Sequence, residues 1–496
     1  MGTSYGLRST GLLVFSSRIF SAFTGLLFTV MVARWLSPSG FGTWEVIVTL
    51  VTFSAYPVGV VAYWSTRDVA RGKMVGRTAL LTGAVLSGLG LLLYFGFSYV
   101  TYSRIASSIL PFLLGALLVP LSYWSGVSNS LVQGFRPAAY GYALVASELA
   151  KLAVAYEALY VSRLGIEGVI LALISAYFVQ SAMGTYLVRP TTSEAFDRAQ
   201  TKRWSRLAWL PATSYLPGVI AVADTFVAAV GFGTALVGYY QVAFIIASVI
   251  GYTSGLTFSL YPLLLRGGDE RLPSQSVEFT LLFSIPMTVG CVVLASPILY
   301  LFGSKYLPAV TGLEILAVMF VFTTLSGVVD QTLMGTEKAD IGERPSFWAL
   351  VRSNLLFVPV ANILYGVVYV SSLYAALSYS ASAGYDTSTT VAAWATVQLV
   401  ATVIFLLVKA RRARAYSKLM PSMSVAYYFV AAGAMALVLY LLSGVAGARG
   451  VGTVVYGLRL LGVGVVGLAM YGAILYLVDS RFRVMTRSFL RRLTGY

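Results

Sequence analysis

Arg18, Glu148, Lys151 and Asp224 stand inside stretches apolar enough to lie in lipid. A charge in that setting is expensive and faces a cavity or a partner rather than hydrocarbon. Arg18 therefore either meets an anion or forms a structural ion pair with an acid from another stretch. Glu148 and Lys151 are three residues apart and share a helix face, a spacing that favours a local ion pair neutralising both. In the alternative, Lys151 meets substrate and Glu148 tunes it. Asp224 either holds a coupling cation or proton, or pairs with Arg18; whether Na+ or H+ does the coupling stays open. The chain has no histidine and a single cysteine, Cys291. Histidine-based metal sites, Ser-His-Asp triads and histidine general bases are excluded, and no intramolecular disulfide can form. No metal, cofactor or catalytic role is expected.

Helices must carry these residues. The 496 residues are 58% hydrophobic and 10% charged, with mean hydropathy +0.82, against about 25% charged in a soluble domain. Such a chain needs lipid as solvent, with each helix satisfying its own backbone polar groups. Apolar stretches of about 20 residues, the length of a span, number about fourteen. The prediction is an all-α polytopic membrane protein. Arg18 falls in the span at 10–33, Glu148 and Lys151 in the fifth span at 139–161, and Asp224 in the seventh at 207–230. Pro57, Pro217, Pro286 and Pro359 lie inside spans, as hinges for switching or as static kinks. Glu278, Asp330 and Arg352 lie near inner span ends and are expected to be solvated or to snorkel. The stretch from Ser371 to Thr390, rich in Ser, Ala and Tyr, is expected to be a short linker.

Net charge is +16, from 34 Lys and Arg against 18 Asp and Glu. With both termini placed inside, 26 of the basic residues fall on inner segments, five on outer segments and three within spans. That asymmetry marks cytoplasmic loops, so the excess reports topology in a cell membrane. Nucleic acid is not expected as a partner, since no segment interleaves aromatic and basic residues on a soluble fold.

The halves echo one another. Gly42 and Trp44, in Pro38-Ser39-Gly40-Phe41-Gly42-Thr43-Trp44, correspond to Gly238 and Tyr240 at an offset of 196. Gly134, after the fourth span, corresponds to Gly335, after the tenth, at an offset of 201. Two echoes in the same topological place predict duplicated six-helix bundles related by a pseudo-two-fold axis along the membrane normal. The expected division is a first bundle at 1–188, a cytoplasmic linker at 189–206, a second bundle at 207–408, and two further helices with a basic tail at 409–496.

The segment from Val32 to Gly42, Val-Ala-Arg-Trp-Leu-Ser-Pro-Ser-Gly-Phe-Gly, resembles the first-loop signature of polysaccharide-transport flippases. These are the Wzx-like members of the multidrug/oligosaccharidyl-lipid/polysaccharide (MOP) exporter superfamily. Leu301-Phe302-Gly303-Ser304-Lys305-Tyr306 is similar to the family's segment before span ten, and Ala223-Asp224-Thr225 followed by Gly238-Tyr239-Tyr240 also fits. The resemblance covers the first twelve spans. It implies a V-shaped pair of six-helix bundles working by alternating access on a glycan carried by a polyprenyl phosphate or pyrophosphate lipid. Arg18 and Lys151 would then line a central cavity and meet the phosphate. Membrane lipids and a lipid-linked glycan are the expected partners, and a monomer is expected.

Two other functions compete. A MATE-like exporter of small organic cations belongs to the same superfamily, but a cavity lined by Arg18 and Lys151 would repel its cargo. A membrane-embedded glycan polymerase or ligase needs a substantial outer catalytic loop, and the outer segments here are short and hold few charges.

Overall fold

Ser37 and Pro38 illustrate how the sequence sets its helix starts. The Ser37 hydroxyl accepts from the Gly40 amide at 3.1 Å, and Pro38 occupies the first turn, where a missing N–H costs nothing. The computed structural model describes residues 7–105, 108–257, 260–265, 269, 271–337, 348, 352–414, 424–446, 452–484 and 486–487, the side chains of 7–15, 138, 210, 213–215, 217, 221 and 262 excepted. Helices dominate, and no strand occurs among the described residues.

Contacts divide the chain into Met1–Gly238 and Tyr239–Tyr496. The first unit contains α1 (Leu7–Trp35), α2 (Pro38–Ala55), α3 (Val58–Ala70), α4 (Gly76–Ile105), α5 (Leu110–Phe135), α6 (Pro137–Tyr156), α7 (Ile166–Leu187), α8 (Arg198–Arg206), α9 (Trp209–Ala221) and α10 (Ala223–Phe232). α11 (Thr234–Gly251) runs across the boundary. The second unit holds α12 (Leu260–Leu265), α13 (Leu272–Val293), α14 (Ala295–Phe302), α15 (Val310–Gly335), α16 (Asn354–Ser382), α17 (Thr387–Ala413), α18 (Ser424–Ala446) and α19 (Thr453–Val478).

Among the described residues, eleven helices are long and apolar enough to cross a membrane. α2 with α3, bent by 57°, makes a twelfth. Pro57 stands at that bend, immediately before α3. The outward faces are apolar as lipid requires: Leu458, Leu461 and Val465 of α19 are each more than 60% exposed. Two of the fourteen expected spans differ from the rest. The fifth is helical through α6 and a π-turn at Glu157–Val161, but Glu148 and Lys151 dilute its apolar character. The seventh is broken at Val222 into α9 and α10. The expected linker from Ser371 to Thr390 is corrected outright. α16 runs on to Ser382 and α17 begins at Thr387, so only a four-residue turn separates them. Leu373, Leu377 and Ser380 are buried at helical spacing, and that packing carries the helix through a stretch of modest hydropathy.

In the first unit, α3, α4, α5 and α8 share a core that includes Val61, Trp64, Val127, Leu131 and Trp204. The echoing segments meet there too. A Cβ on Gly42 would lie 1.8 Å from the Thr234 carbonyl oxygen, and a Cβ on Gly238 would lie 1.9 Å from that of Pro38. Each glycine thus lets the backbone four residues before the other pass close by, a reciprocal contact of two-fold character. In the second unit the last helix, α19, is tied to α13 and to α14, which follows it. The Tyr471 hydroxyl donates to the Leu282 carbonyl at 2.9 Å, and that of Tyr456 to Pro297 at 3.1 Å.

Candidate functional site

The bend at Pro57 swings α3 so that Tyr63, Thr66 and Arg67 share one face while Trp64 and Asp68 share another. α3 is held against α5 by small and hydroxylic residues. Ser65 and Ser130 hydrogen-bond at 2.7 Å, and the Thr66 hydroxyl donates to the Ser130 carbonyl at 3.1 Å. Gly134 lets the helices close, since a Cβ there would lie 2.7 Å from the Thr66 carbonyl oxygen.

Beside this seam lies a cavity of about 650 Å³. Arg18 of α1 lines it with Ala62, Tyr63, Thr66 and Arg67 of α3. α5 contributes Gly126, Asn129, Ser130 and Gln133, and α6 contributes Pro137 and Tyr140. Two of the lining residues are arginines and none is acidic. Arg18 is exposed and makes no ion pair among the described residues. The Arg67 guanidinium donates to the Tyr63 hydroxyl and lies 5.2 Å from the centre of that ring. Neutral donors and acceptors complete the wall. Asn129 donates to the Ser125 hydroxyl at 3.3 Å and accepts from Gln180 at 3.4 Å. Such a cavity suits an anion that also carries neutral polar groups: guanidinium forks grip oxyanions, and amides and hydroxyls exchange hydrogen bonds with hydroxyls.

No protein-family model matches the chain. A probable flippase, AglR, of Haloferax volcanii is 24% identical over 524 aligned residues, which take in 99% of each chain. Among solved structures, the lipid II flippase MurJ in an inward closed conformation superposes with a TM-score of 0.63 at 14% identity, covering 94% of this chain and 99% of MurJ. An inward-facing multidrug-resistance MATE transporter of the MOP superfamily gives 0.57 at 14% identity, covering 80% and 95%. The chain shares the fold of these two proteins.

The chain is a multi-pass membrane protein, and the other expected site residues are not among those that line the cavity. The structure does not bring Lys151 into it beside Arg18. Lys151 Nζ lies 2.7 Å from Glu148 Oε2 and 5.3 Å from the centre of the Phe28 ring. Glu148 also accepts from Ser21 at 2.9 Å and Thr24 at 2.7 Å on α1. Asp224 is buried in the first turn of α10, where it accepts from the Thr225 amide at 2.6 Å and hydroxyl at 3.2 Å. No ion pair joins it to Arg18. Pro57 marks the sharp bend, Pro217 lies within α9, and Pro286 and Pro359 lie inside the continuous helices α13 and α16. Among the described residues, no group of Asp, Glu and Cys could hold a metal ion.

Two polar centres escape sequence reasoning. Asp68 of α3 is fully buried and carries the contacts of α8. Asp330, expected to be solvated, is instead paired with Lys409, which is itself only 3% exposed. Both pairings join residues distant in sequence, and that distance hides them.

Proposed function

We propose that this chain is a MOP-superfamily transporter that flips a lipid-linked oligosaccharide across the cytoplasmic membrane by alternating access, for surface polysaccharide or glycoprotein assembly. The cavity's charge carries the proposal: two arginines, no carboxylate, and a wall of amides and hydroxyls. The apolar lipid tail can stay in hydrocarbon while phosphate and sugars need a polar path, and a cationic cavity lowers the cost of admitting the phosphate. End-to-end kinship with a probable flippase supports the same cargo class. A cation exporter would place like charges together in this cavity.

The same proposal includes fourteen spans, two six-helix bundles with two further helices, and both termini in the cytoplasm. The 26-to-5 distribution of basic residues supports the orientation. The reciprocal contact of Gly42 and Gly238 supports the duplication. Pro57, Pro217, Pro286 and Pro359 are its candidate hinges, with Pro57 best placed at the 57° bend.

The test is transbilayer movement of a polyprenyl-phosphate-linked oligosaccharide in proteoliposomes. Arg18→Ala is expected to slow flipping at least tenfold, which is about 1.4 kcal/mol. Arg18→Lys, which keeps charge but loses the fork, should be intermediate, and both variants should insert and fold normally. Flipping by Arg18→Ala at the wild-type rate would overturn the phosphate contact.

A further inference from the structure

Asp68 is fully buried, at 0% exposure, yet it is the residue next to Arg67 of the cavity wall. Its carboxylate is saturated by α8. Oδ2 accepts from the Gln200 side chain and from Trp204 Nε1 at 2.9 Å. Oδ1 lies 3.4 Å from Arg203 Nη1 and 3.6 Å from Lys73 Nζ. The Arg203 guanidinium also sits 5.9 Å from the Trp64 ring centre, one turn back on the same face of α3. On its other side α8 is anchored to α4. The Thr82 and Thr201 hydroxyls lie 3.1 Å apart, and the Asp197 amide donates to Thr78 at 2.9 Å. Asp197 caps α8 in turn, accepting from the Ala199 and Gln200 amides. The segment after α7 is therefore an ordered strap across α3 and α4, and the Asp68 carboxylate gathers its hydrogen bonds to α3.

We propose that Asp68 is a positioning residue for transport: by clamping α8 to α3 it fixes where Tyr63, Thr66 and Arg67 stand in the cavity wall. The inference rests on the cavity being the substrate site. α3 is a short helix that starts at a 57° bend. A helix entered through a sharp bend depends for its direction on its seam with α5 and on what grips its far end, and Asp68 lies in its last turn. Asp68 and Arg67 point to different faces, so the carboxylate orients the guanidinium without neutralising it. The clamp would also explain a fully buried acid among Arg67, Arg71, Lys73 and Arg77: charge-assisted donors from one short helix satisfy it, while Arg67 is left to the cavity.

The experiment uses the full chain with its lone cysteine replaced by alanine, in proteoliposomes with a polyprenyl-phosphate-linked oligosaccharide. Asp68→Asn is expected to lower the flipping rate at least fivefold. Introducing Thr82→Cys and Thr201→Cys into that variant and oxidising them ties α8 to α4 covalently. Flipping should return to within twofold of wild type and fall again on reduction. Trp204→Phe removes one donor but keeps the ring, and should give a two- to threefold loss rescued by the same disulfide; it serves if Asp68→Asn does not fold. A second readout needs no substrate. A cysteine placed by Thr66→Cys should react with a charged methanethiosulfonate reagent at a rate changed at least threefold by Asp68→Asn. Wild-type flipping in both Asp68→Asn and Trp204→Phe overturns the proposal, as does a formed disulfide without rescue, or an unchanged labelling rate. If Arg18→Ala flips normally, the substrate reading fails, while the labelling arm still reports on the clamp.

Discussion

Two regions of this molecule hold cations among their packed helices, and they hold them in opposite ways. In the first unit, Arg18 and Arg67 line an open cavity with no acid in its wall. In the second, Lys409 is enclosed: its Nζ lies 3.0 Å from each oxygen of Asp330 and 3.1 Å from Asn362 Oδ1. Asn362 also reaches the same carboxylate at 3.5 Å, so α15, α16 and α17 meet at one neutralised point. A buried charge with every partner in place has nothing left to offer a ligand; an exposed one without an acid does. The pairing of a cation, more than its depth, separates framework from binding surface in this chain.

The comparison breaks most visibly if the enclosed pair is dispensable. Lys409→Met strands the Asp330 carboxylate, and removing one partner of a buried pair costs about 3–5 kcal/mol. Unfolding in detergent should report that loss, and adding Asp330→Asn should recover more than half of it. A Lys409→Met midpoint equal to wild type would mean that the pair is not framework.

Glu148 sharpens the comparison from inside the first unit. It pairs with Lys151, but two hydroxyls of α1 also reach it. Glu148→Gln keeps acceptors for those hydroxyls, so a loss of about 1–3 kcal/mol is expected, with flipping within twofold of wild type. Flipping reduced tenfold at unchanged stability would return Lys151 to the substrate site.

The smallest effect belongs to a fully exposed acid. Asp386 caps α17, accepting from the Thr389 amide at 3.2 Å. Hydrogen bonds from the Thr389 side chain and backbone hold its carboxyl below the usual carboxylate range. A lowered folded-state value means that its contribution is complete above about pH 4 and fades as pH falls through the depressed value. Amide exchange at Thr389 should therefore be insensitive to pH-dependent uncapping between pH 7 and 5. Asp386→Ala should speed that exchange without altering flipping.

The helical membrane fold is legible in the sequence because lipid leaves so few alternatives: long apolar stretches must be helices, and charges inside them must be accounted for. The i, i+3 pairing of Glu148 with Lys151 is equally local, and the structure contains it. Asp68 is harder. It sits in a basic run and passes for a solvated helix end; the available signal was Gln200 and Trp204 at i, i+4 spacing on a short segment otherwise rich in charge. Lys409 passes for the start of the basic run that ends α17, and its partner lies 79 positions earlier. The stretch from Ser371 to Thr390 misleads for another reason. Its small residues lower hydropathy without stopping a helix, and the chain turns only at Gly384, whose φ of +68° suits glycine.

The long hairpin formed by α16 and α17 has a practical consequence. Helices of 29 and 27 residues are about 43 and 40 Å long at 1.5 Å per residue, against about 30 Å of hydrocarbon. The excess over the hydrocarbon is about 10 Å, enough to carry the turn into the headgroup region, and Tyr379 and Tyr385 are exposed around that turn. A turn on so long a hairpin is the place to graft a rigid epitope, which an antibody fragment could grasp and which would give single-particle images a landmark for alignment.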